Sequence, residues 1–396
     1  MANETLGAAK KARADEFYTQ WDAIQCEMNA YLEYAPDVFK GKTILLPCDD
    51  PEWSNFTKYF ALHFMDFGIK KLISTSYAPE SNHGGIFYEP QLFETKSPIY
   101  DTDKSRLQGR VFTLVPQDFS GDGKINLDDL QWEYLEGDGD FQSLEVTALR
   151  DEADMVVTNP PFSLFRNFVA WLVEGEVRFS VIGNMNANTY KEVFPLVSDN
   201  QIWKGATANN TDMVFQVPEG TEIRSSDREK AERMGYVGNF TRLGNSCWFT
   251  NIEHGRRHEP LQLMTMEDNL KYNKKIAEVG YPKYDNYDAI EVGRVDAIPS
   301  DYDEMMGVPI SFLDKYNPDQ FKIVGITKTW DDASGLKKKT YPTQLQVSKK
   351  GEESRVGKLN DGAAIKVLDP PDRTHYRVGE DLFVQPYARI IIRRRG

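Results

Sequence analysis

Apolar positions along the first part of the chain alternate between helical and strand spacing. Apolar residues recurring at helical intervals predict an amphipathic lead helix over 21–35. A short apolar strand over 43–47 follows, and Ser54 can then cap a helix that carries phenylalanines as far as Gly68. The pattern therefore opens with a lead helix and one strand-to-helix unit.

The same alternation continues through the middle of the chain. Strands are predicted at 71–77, 110–115, 153–158 and 178–183, and helices at 163–174 and 189–197. A polar stretch rich in glycine and proline separates the first two of these strands. Alternation of this kind predicts an α/β fold with a doubly wound, mostly parallel, Rossmann-like sheet. Ligands of such sheets bind beyond the carboxyl ends of the strands.

The pattern changes after about residue 205. Two extended pieces, 213–217 and 247–252, are predicted to complete the sheet as antiparallel strands. Proline breaks then separate short strands such as 321–326 and 388–393, which indicates an α+β domain. The predicted organisation is a lead segment with its helix, a large α/β domain and a C-terminal α+β domain, at 1–40, 41–254 and 255–396.

The charge of the chain is uneven. Of 396 residues, 40% are apolar and 27% are charged, as in an ordinary folded protein. The net charge of −14 argues against indiscriminate nucleic-acid binding, which depends on lysine and arginine. From Gln320 onward, however, about 16 Lys and Arg stand against about 9 Asp and Glu, so a locally basic face can still hold DNA.

Cysteine usage and the N-terminal residues indicate the compartment. The three cysteines form no CxxC pair, so they predict neither a disulfide framework nor a thiolate zinc site. The N-terminal residues lack the apolar core of a signal peptide, and no run approaches the roughly 18 apolar residues that span a bilayer. The sequence therefore predicts a cytoplasmic protein that is not bound to a membrane.

The sharpest chemical signal is a buried strand that leads directly into Asn159, Pro160, Pro161 and Phe162. The two prolines fix φ and lack an N–H, so the loop is stiff and can aim its carbonyls at a ligand. The Asn159 side-chain oxygen and the Pro160 carbonyl can accept both hydrogens of an exocyclic amino group. The nitrogen lone pair is then available to attack a sulfonium methyl group. Phe162 can stack on an extruded base, and we predict that these four residues are catalytic.

Short segments spread over roughly 15–326 carry a resemblance to a known family. They include DEFYTQ, CDDP, GDGDF, TNPPFSLF, YPKYDNYDAI and MGVPISF, at 15–20, 48–51, 137–141, 158–165, 281–290 and 306–312. In these segments the chain resembles the EcoRI-type family of adenine-specific DNA methyltransferases. The resemblance implies S-adenosylmethionine as methyl donor and an adenine flipped out of double-stranded DNA. It also implies that the C-terminal domain recognises a short DNA site.

The resemblance further implies a set of cofactor-binding residues. Asp140 would accept the adenine amine of the cofactor beside the ring of Phe141, with Asp138 as the competing carboxylate. The methionine end would be bordered by Phe17, Tyr18 and Thr19. The loop after the first strand would replace the usual glycine-rich turn, and the remaining members of the set are Cys48, Asp49, Asp50, Pro51, Ser54, Asn55 and Asn159. The group that holds the cofactor ribose stays open.

Other interpretations remain open at this stage. The stretch 118–129 fits much of the calcium-loop template, but its twelfth position is Asp129 and no amphipathic helix precedes it, so no metal is predicted. The proline-rich loop could instead serve an RNA adenine or a protein glutamine methyltransferase. A non-catalytic DNA- or calcium-binding module is the third possibility. The resemblance favours a monomer that acts on DNA without requiring a cognate restriction endonuclease.

Overall fold

A computed structural model describes residues 17–78, 97–207, 213–355 and 357–395. The chain forms two compact units. The first comprises Met1–Ala187 and Ile202–Gly255, and the second comprises Asn188–Gln201 and Arg256–Gly396. The main chain therefore enters the second unit briefly, returns to the first, and finishes in the second. Within the described residues, no helix combines the length and the apolarity needed to cross a membrane.

The helices and strands are numbered in chain order. The helices are α1 (Trp21–Tyr34), α2 (Asn55–Leu62), α3 (Thr102–Leu107), α4 (Leu144–Glu152), α5 (Phe165–Glu174), α6 (Phe194–Ser198), α7 (Ser225–Arg233), α8 (Met266–Tyr272) and α9 (Lys274–Val279). Short 3-10 helices lie at Leu127–Asp129, Phe162–Leu164, Met185–Thr189, Gly255–His258, Val295–Ala297, Ile310–Lys315 and Lys358–Asn360. The first strands are β1 (Tyr18–Thr19), β2 (Thr43–Leu46), β3 (Lys71–Ser76), β4 (Arg110–Leu114), β5 (Gln131–Tyr134), β6 (Met155–Thr158), β7 (Arg178–Asn184), β8 (Trp203–Lys204), β9 (Met213–Gln216), β10 (Phe240–Leu243) and β11 (Ser246–Thr250). The remaining strands are β12 (Ile290–Glu291), β13 (Met306–Pro309), β14 (Phe321–Ile326), β15 (Leu345–Val347), β16 (Glu353–Arg355), β17 (Ile365–Val367), β18 (His375–Val378), β19 (Asp381–Val384) and β20 (Arg389–Arg394).

An eight-stranded sheet in the order β5-β4-β3-β2-β6-β7-β11-β8 forms the centre of the first unit. The prediction of an α/β fold is confirmed, but the prediction of a mostly parallel sheet is wrong. Among the described residues, three of its seven pairings are parallel, and all three lie between β3, β2, β6 and β7. The connections β2–α2–β3 and β6–α5–β7 each carry a helix to a parallel neighbour. The flanking strands pair antiparallel, which requires no helical crossover.

The central strands and the lead helix form the core of this unit. Every residue of β2 and of β6 is buried, as expected for parallel strands that are covered on both faces. The predicted lead helix is confirmed as α1, which buries Ile24, Met28 and Tyr31 at helical spacing. The carboxyl ends of β2 and β6 are therefore held on a rigid, well-packed base.

Two predictions about the strands and helices are wrong. The piece at 213–217 does form a strand, β9, but β9 pairs with β1 and β10 in a separate three-stranded antiparallel sheet. The helix predicted at 189–197 reduces to α6. A helix tolerates proline only in its first turn, so Pro195 cannot lie in the middle of a helix over 189–197. Accordingly, α6 begins at Phe194, one residue before Pro195. The piece at 247–252 joins the main sheet as β11, as predicted.

The second unit contains a four-stranded sheet, β12-β13-β20-β14, and a five-stranded sheet, β16-β15-β18-β19-β17. The strands predicted at 321–326 and 388–393 are present as β14 and β20. Asn286, from the YPKYDNYDAI segment, donates to the carbonyl of Gly362 at 2.9 Å and accepts from the Ala364 N–H at 2.8 Å. This segment therefore has an internal structural role in the second unit.

Candidate active site

The two polar atoms of the Asn159 side chain differ in their hydrogen bonding. Its Nδ2 donates to the carbonyl oxygen of Phe17 at 2.6 Å, which fixes the orientation of the amide. Its Oδ1 is buried and accepts no hydrogen bond from the part of the chain that the structure describes. A buried acceptor without a donor costs free energy unless a ligand satisfies it. The Oδ1 atom is therefore an acceptor that the described part of the chain leaves unused.

Three aromatic rings pack together next to the loop that carries this amide. The Phe162 ring stacks on Phe17 with centroids 5.5 Å apart, and the Phe215 ring meets both of them edge-on. Pro160 is buried and Pro161 has a φ of −54°, as the proline ring requires. The loop 159–162 is thus stiff, and its Phe162 ring belongs to a cluster of three aromatic rings.

A cavity of about 800 Å³ opens beside these rings. Phe17 and Phe162 line it on one side, and residues between Val217 and Asn245 line most of the remainder, including Arg224 and Arg242. Its volume is in the range of small-molecule sites, roughly 300–1,000 Å³. The sequence prediction missed this wall, because it assigned β9 to the main sheet and gave no role to the segment that follows.

The predicted cofactor residues of the first loop divide into a buried group and a partly exposed group. Asp49 is 6% exposed, and its carboxylate lies 2.6 Å from the hydroxyls of both Ser54 and Thr158. Ser54 also caps α2 by accepting from the Phe56 N–H. Asp50 is less buried and forms an ion pair with Arg110 at 3.1 Å. The two adjacent carboxylates therefore have different partners and different exposure.

Burial raises the pKa of Asp49 to about 7, although hydrogen bonds from Ser54 and Thr158 oppose the rise. A carboxyl with a raised folded-state pKa favours folding at low pH, and this contribution is lost as the pH rises through about 7. We expect the free energy of unfolding of the wild type, relative to Asp49→Asn, to be larger at pH 5 than at pH 8. Urea unfolding of both proteins at the two pH values measures it. An equal difference at both would contradict the raised pKa.

Cys48 lies in the loop that follows β2. Its φ of +68° is in the left-handed region, which side chains other than glycine seldom adopt. Burial raises the pKa of its thiol to about 12, with further contributions from the carboxylates of Asp49 and Asp140. The thiol is therefore protonated near neutral pH and is a poor nucleophile. The electrostatic effect of Asp140 also shows that the two predicted cofactor loops lie close together.

The second predicted cofactor loop is anchored to the end of β3. The Asp138 carbonyl accepts from the Ala78 N–H at 2.7 Å, and Gly139 has a φ of +87° with no room for a Cβ next to the Ser76 carbonyl. Asp138 and Asp140 are both partly exposed. Phe141, in contrast, is buried against Phe168 and Trp171 of α5. The structure therefore places the carboxylates of Asp138 and Asp140 beside the end of β3 and the Phe141 ring in the core.

The N-terminal predicted residues reach the site through backbone contacts. Tyr18 and Thr19 form β1, and the Thr19 carbonyl accepts from Asn55 Nδ2 at 2.8 Å. Pro51 is buried in the turn before α2. The structure thus brings Phe17 next to the loop 159–162 and Thr19 next to the start of α2. Asp15 and Glu16 of the same segment lie outside the described residues.

Comparison with known proteins decides the family. The family model described as adenine-specific methyltransferase EcoRI matches residues 5–395. The chain belongs to this family of adenine-specific methyltransferases. The Type II methyltransferase M.EcoRI of Escherichia coli is 38% identical over 339 residues, which cover 83% of this chain and 91% of that protein. The Type II methyltransferase M.MpnI of Mycoplasma pneumoniae is 33% identical over 317 residues, covering 80% and 83%.

Family membership confirms the resemblance found in the sequence and the prediction of an enzyme. An adenine-specific methyltransferase requires a methyl donor. None of the solved structures compared with the chain gives a significant match.

The stretch 118–129, which resembles a calcium-binding loop in sequence, forms a turn that is stabilised by its own side chains. Asp118 accepts from the N–H groups of Gly121 and Gly123, and Asp129 accepts from those of Phe119 and Ser120 at 2.8 Å. Among the described residues, no group of three or more His, Cys, Asp or Glu is arranged to hold a metal ion. The two carboxylates stabilise the turn by binding its backbone.

Proposed function

We propose that this chain transfers the methyl group of S-adenosylmethionine to the 6-amino group of an adenine extruded from double-stranded DNA at a short recognition site. The observation that carries the proposal is the buried Oδ1 of Asn159, which has no donor among the described residues and lies in the loop whose Phe162 ring borders the large cavity. An exocyclic amino group is the donor that this acceptor requires. A planar base is the ligand that the aromatic surroundings favour.

The carboxyl edge of the sheet fits the cofactor. The backbone of Gly139 packs directly against the Ser76 carbonyl at the end of β3, which holds the partly exposed Asp138 and Asp140 at this edge, where they supply acceptors for amine or hydroxyl hydrogens. Thr19 Oγ1 is buried and has no hydrogen-bond partner in the described chain, so it can bind a polar group of the cofactor. When bound there, S-adenosylmethionine would supply an electrophilic methyl group. These features support a class I, Rossmann-like cofactor site.

The residues of the catalytic loop act on the amino group of the base. Asn159 Oδ1 and the Pro160 carbonyl accept its two hydrogens and draw the nitrogen toward a tetrahedral geometry, so that its lone pair becomes available. Phe162 stacks on the base and holds it in place, which supplies positioning that a weak nucleophile needs. Direct transfer requires no thiolate, in agreement with the raised pKa of Cys48.

The related proteins indicate the biological setting. They are named Type II methyltransferases, and this chain is accordingly a methyltransferase of the restriction–modification type. We assign catalysis to the domain at 41–254 with its lead segment, and recognition of the DNA site to the domain at 255–396. We further propose a cytoplasmic monomer that acts without a partner endonuclease.

The function can be tested by offering the purified protein labelled S-adenosylmethionine together with unmethylated genomic DNA, total RNA or cell protein. We expect label in DNA, recovered as N6-methyladenine after digestion to nucleosides. Asn159→Ala should incorporate label at about one-thousandth of the wild-type rate and serves as the control for contaminating activity. Label in RNA or in protein glutamine, with none in DNA, would contradict the proposal and favour the alternative substrates.

A further inference from the structure

Four separate segments around Asn159 are joined by hydrogen bonds into a closed ring. On one side, the Thr158 hydroxyl lies 2.6 Å from Asp49 Oδ2, and the Ser54 hydroxyl lies 2.6 Å from Asp49 Oδ1. Asp49 therefore connects the residue before Asn159 to the start of α2. Both of its carboxylate oxygens are used inside the protein.

The other side of the ring runs through the backbone of the N-terminal segment. Asn55, next to Ser54, donates from Nδ2 to the Thr19 carbonyl at 2.8 Å. Two residues earlier, the Phe17 carbonyl accepts from Asn159 Nδ2 at 2.6 Å. The peptide chain completes the remaining links at 54–55, 17–19 and 158–159. We call this arrangement the hydrogen-bonded ring.

We infer that Asp49 and Asn55 are positioning residues, which hold Asn159 in the orientation for methyl transfer through the hydrogen-bonded ring and touch neither cofactor nor base. The inference rests on the proposed function of Asn159. It departs from the assignment of Asp49 and Asn55 to the cofactor that the family resemblance implied.

Burial makes the ring stiff. Thr158 is fully buried and Asp49 nearly so, and a hydrogen bond that is broken in such a place leaves a polar group without water to replace its partner. The Phe17 carbonyl fixes Asn159 Nδ2, so that its Oδ1 is directed away from the backbone of this segment. Methyl transfer depends on alignment, and a displacement of about 1 Å can lower a rate by roughly 100-fold. Loosening the ring should therefore affect turnover more than binding.

The test compares Thr158→Val with Thr158→Ser and with Asn55→Ala. Valine removes the hydroxyl but keeps the shape, serine keeps the hydroxyl, and alanine breaks the ring on its far side. Thr250→Val is the matched control, because both threonines are fully buried and both hydroxyls lie within hydrogen-bond distance of a backbone carbonyl, that of Pro47 for Thr158 and that of Phe179, outside the ring, for Thr250. For each variant, kcat is measured on the substrate that the wild type methylates, and the dissociation constant of S-adenosylmethionine is measured by calorimetry.

We expect Thr158→Val and Asn55→Ala each to lower kcat by about 10- to 100-fold while the dissociation constant for S-adenosylmethionine changes less than about twofold. Thr158→Ser should restore kcat, and Thr250→Val should leave it unchanged despite a similar loss of a buried hydrogen bond. In the double variant that combines Thr158→Val with Asn55→Ala, the fold-loss of kcat should be smaller than the product of the two single fold-losses, because both changes open the same ring.

Two results would overturn the inference. Weaker cofactor binding with kcat retained at saturation would make Asn55 a cofactor ligand if Asn55→Ala shows it, and would assign the Asp49 side of the ring to the cofactor if Thr158→Val shows it. An unchanged kcat in both variants would show that the ring does not orient Asn159. Neither result bears on whether DNA adenine is the substrate, which the labelling experiment decides separately.

Discussion

Asn159→Ala is expected to lower kcat for methyl transfer by about 1,000-fold while leaving the affinity for the methyl donor nearly unchanged. The variant lacks the acceptor that polarises the target amino group, and loss of one such preorganised hydrogen bond typically costs about 100- to 1,000-fold. It also loses the bond from Nδ2 to the Phe17 carbonyl, so the loop is less well fixed. Single-turnover kinetics and equilibrium binding of S-adenosylmethionine measure the two effects separately.

Asn251→Ala is the matched control for this variant. Like Asn159, Asn251 donates from Nδ2 to a backbone carbonyl, that of Val177 at 3.1 Å, but its Oδ1 is satisfied by the Phe179 N–H at 2.6 Å. It lies at the end of β11, in the same unit. We expect the control to lower stability while kcat stays near the wild-type value. A proportional loss of cofactor affinity in Asn159→Ala, with turnover preserved, would contradict the role assigned to Asn159.

Gly139→Ala is the second change with a large expected effect. A Cβ at this position would lie 2.4 Å from the Ser76 carbonyl oxygen, and the φ of +87° is unfavourable for alanine. Backbone strain and overpacking together should lower the free energy of unfolding by about 2–4 kcal/mol. The displaced loop should also weaken binding of S-adenosylmethionine, because Asp138 and Asp140 flank Gly139. Urea unfolding and calorimetric titration test both expectations.

Gly123→Ala separates the steric effect from the backbone effect. Gly123 has a similar φ of +82°, but nothing lies within 4 Å of its Cβ position. We expect this variant to show only the cost of the left-handed conformation, roughly 1 kcal/mol, and normal cofactor binding. Equal destabilisation by the two alanines would mean that contact with Ser76 plays no part in holding the loop.

Local patterns in the sequence were sufficient to predict the strands that carry the site. The apolar runs that became β2 and β6 are buried on both faces, and the loop after β6 combines residue types with a definite chemical use. The identity of Asn159 and Phe162 as candidate catalytic residues therefore depended on adjacent residues only. Which residues surround Asn159 and Phe162 in space depends on parts of the chain that are distant in sequence, so the sequence pattern could not predict those neighbours.

The features that the sequence-based prediction lacked are contacts between residues that are distant in sequence. β1 and β9 pair Tyr18 with Gln216, and this pairing builds the cavity wall that no local pattern indicated. Asp49 has the residue type of a cofactor ligand, but its partners Ser54 and Thr158 are inside the protein. Residue type alone does not distinguish a carboxylate that binds a ligand from one that holds a loop. The distinction depends on burial, which the fold determines.

The most direct measurement is nucleoside analysis and modification sequencing of DNA from cells without other adenine methylation that express either the wild type or Asn159→Ala. We expect N6-methyladenine confined to one short sequence motif with the wild type, and modification of that motif reduced by at least about 100-fold with the variant. DNA without methyladenine in the wild-type cells, or the same modification in both, would contradict methylation of DNA adenine through Asn159.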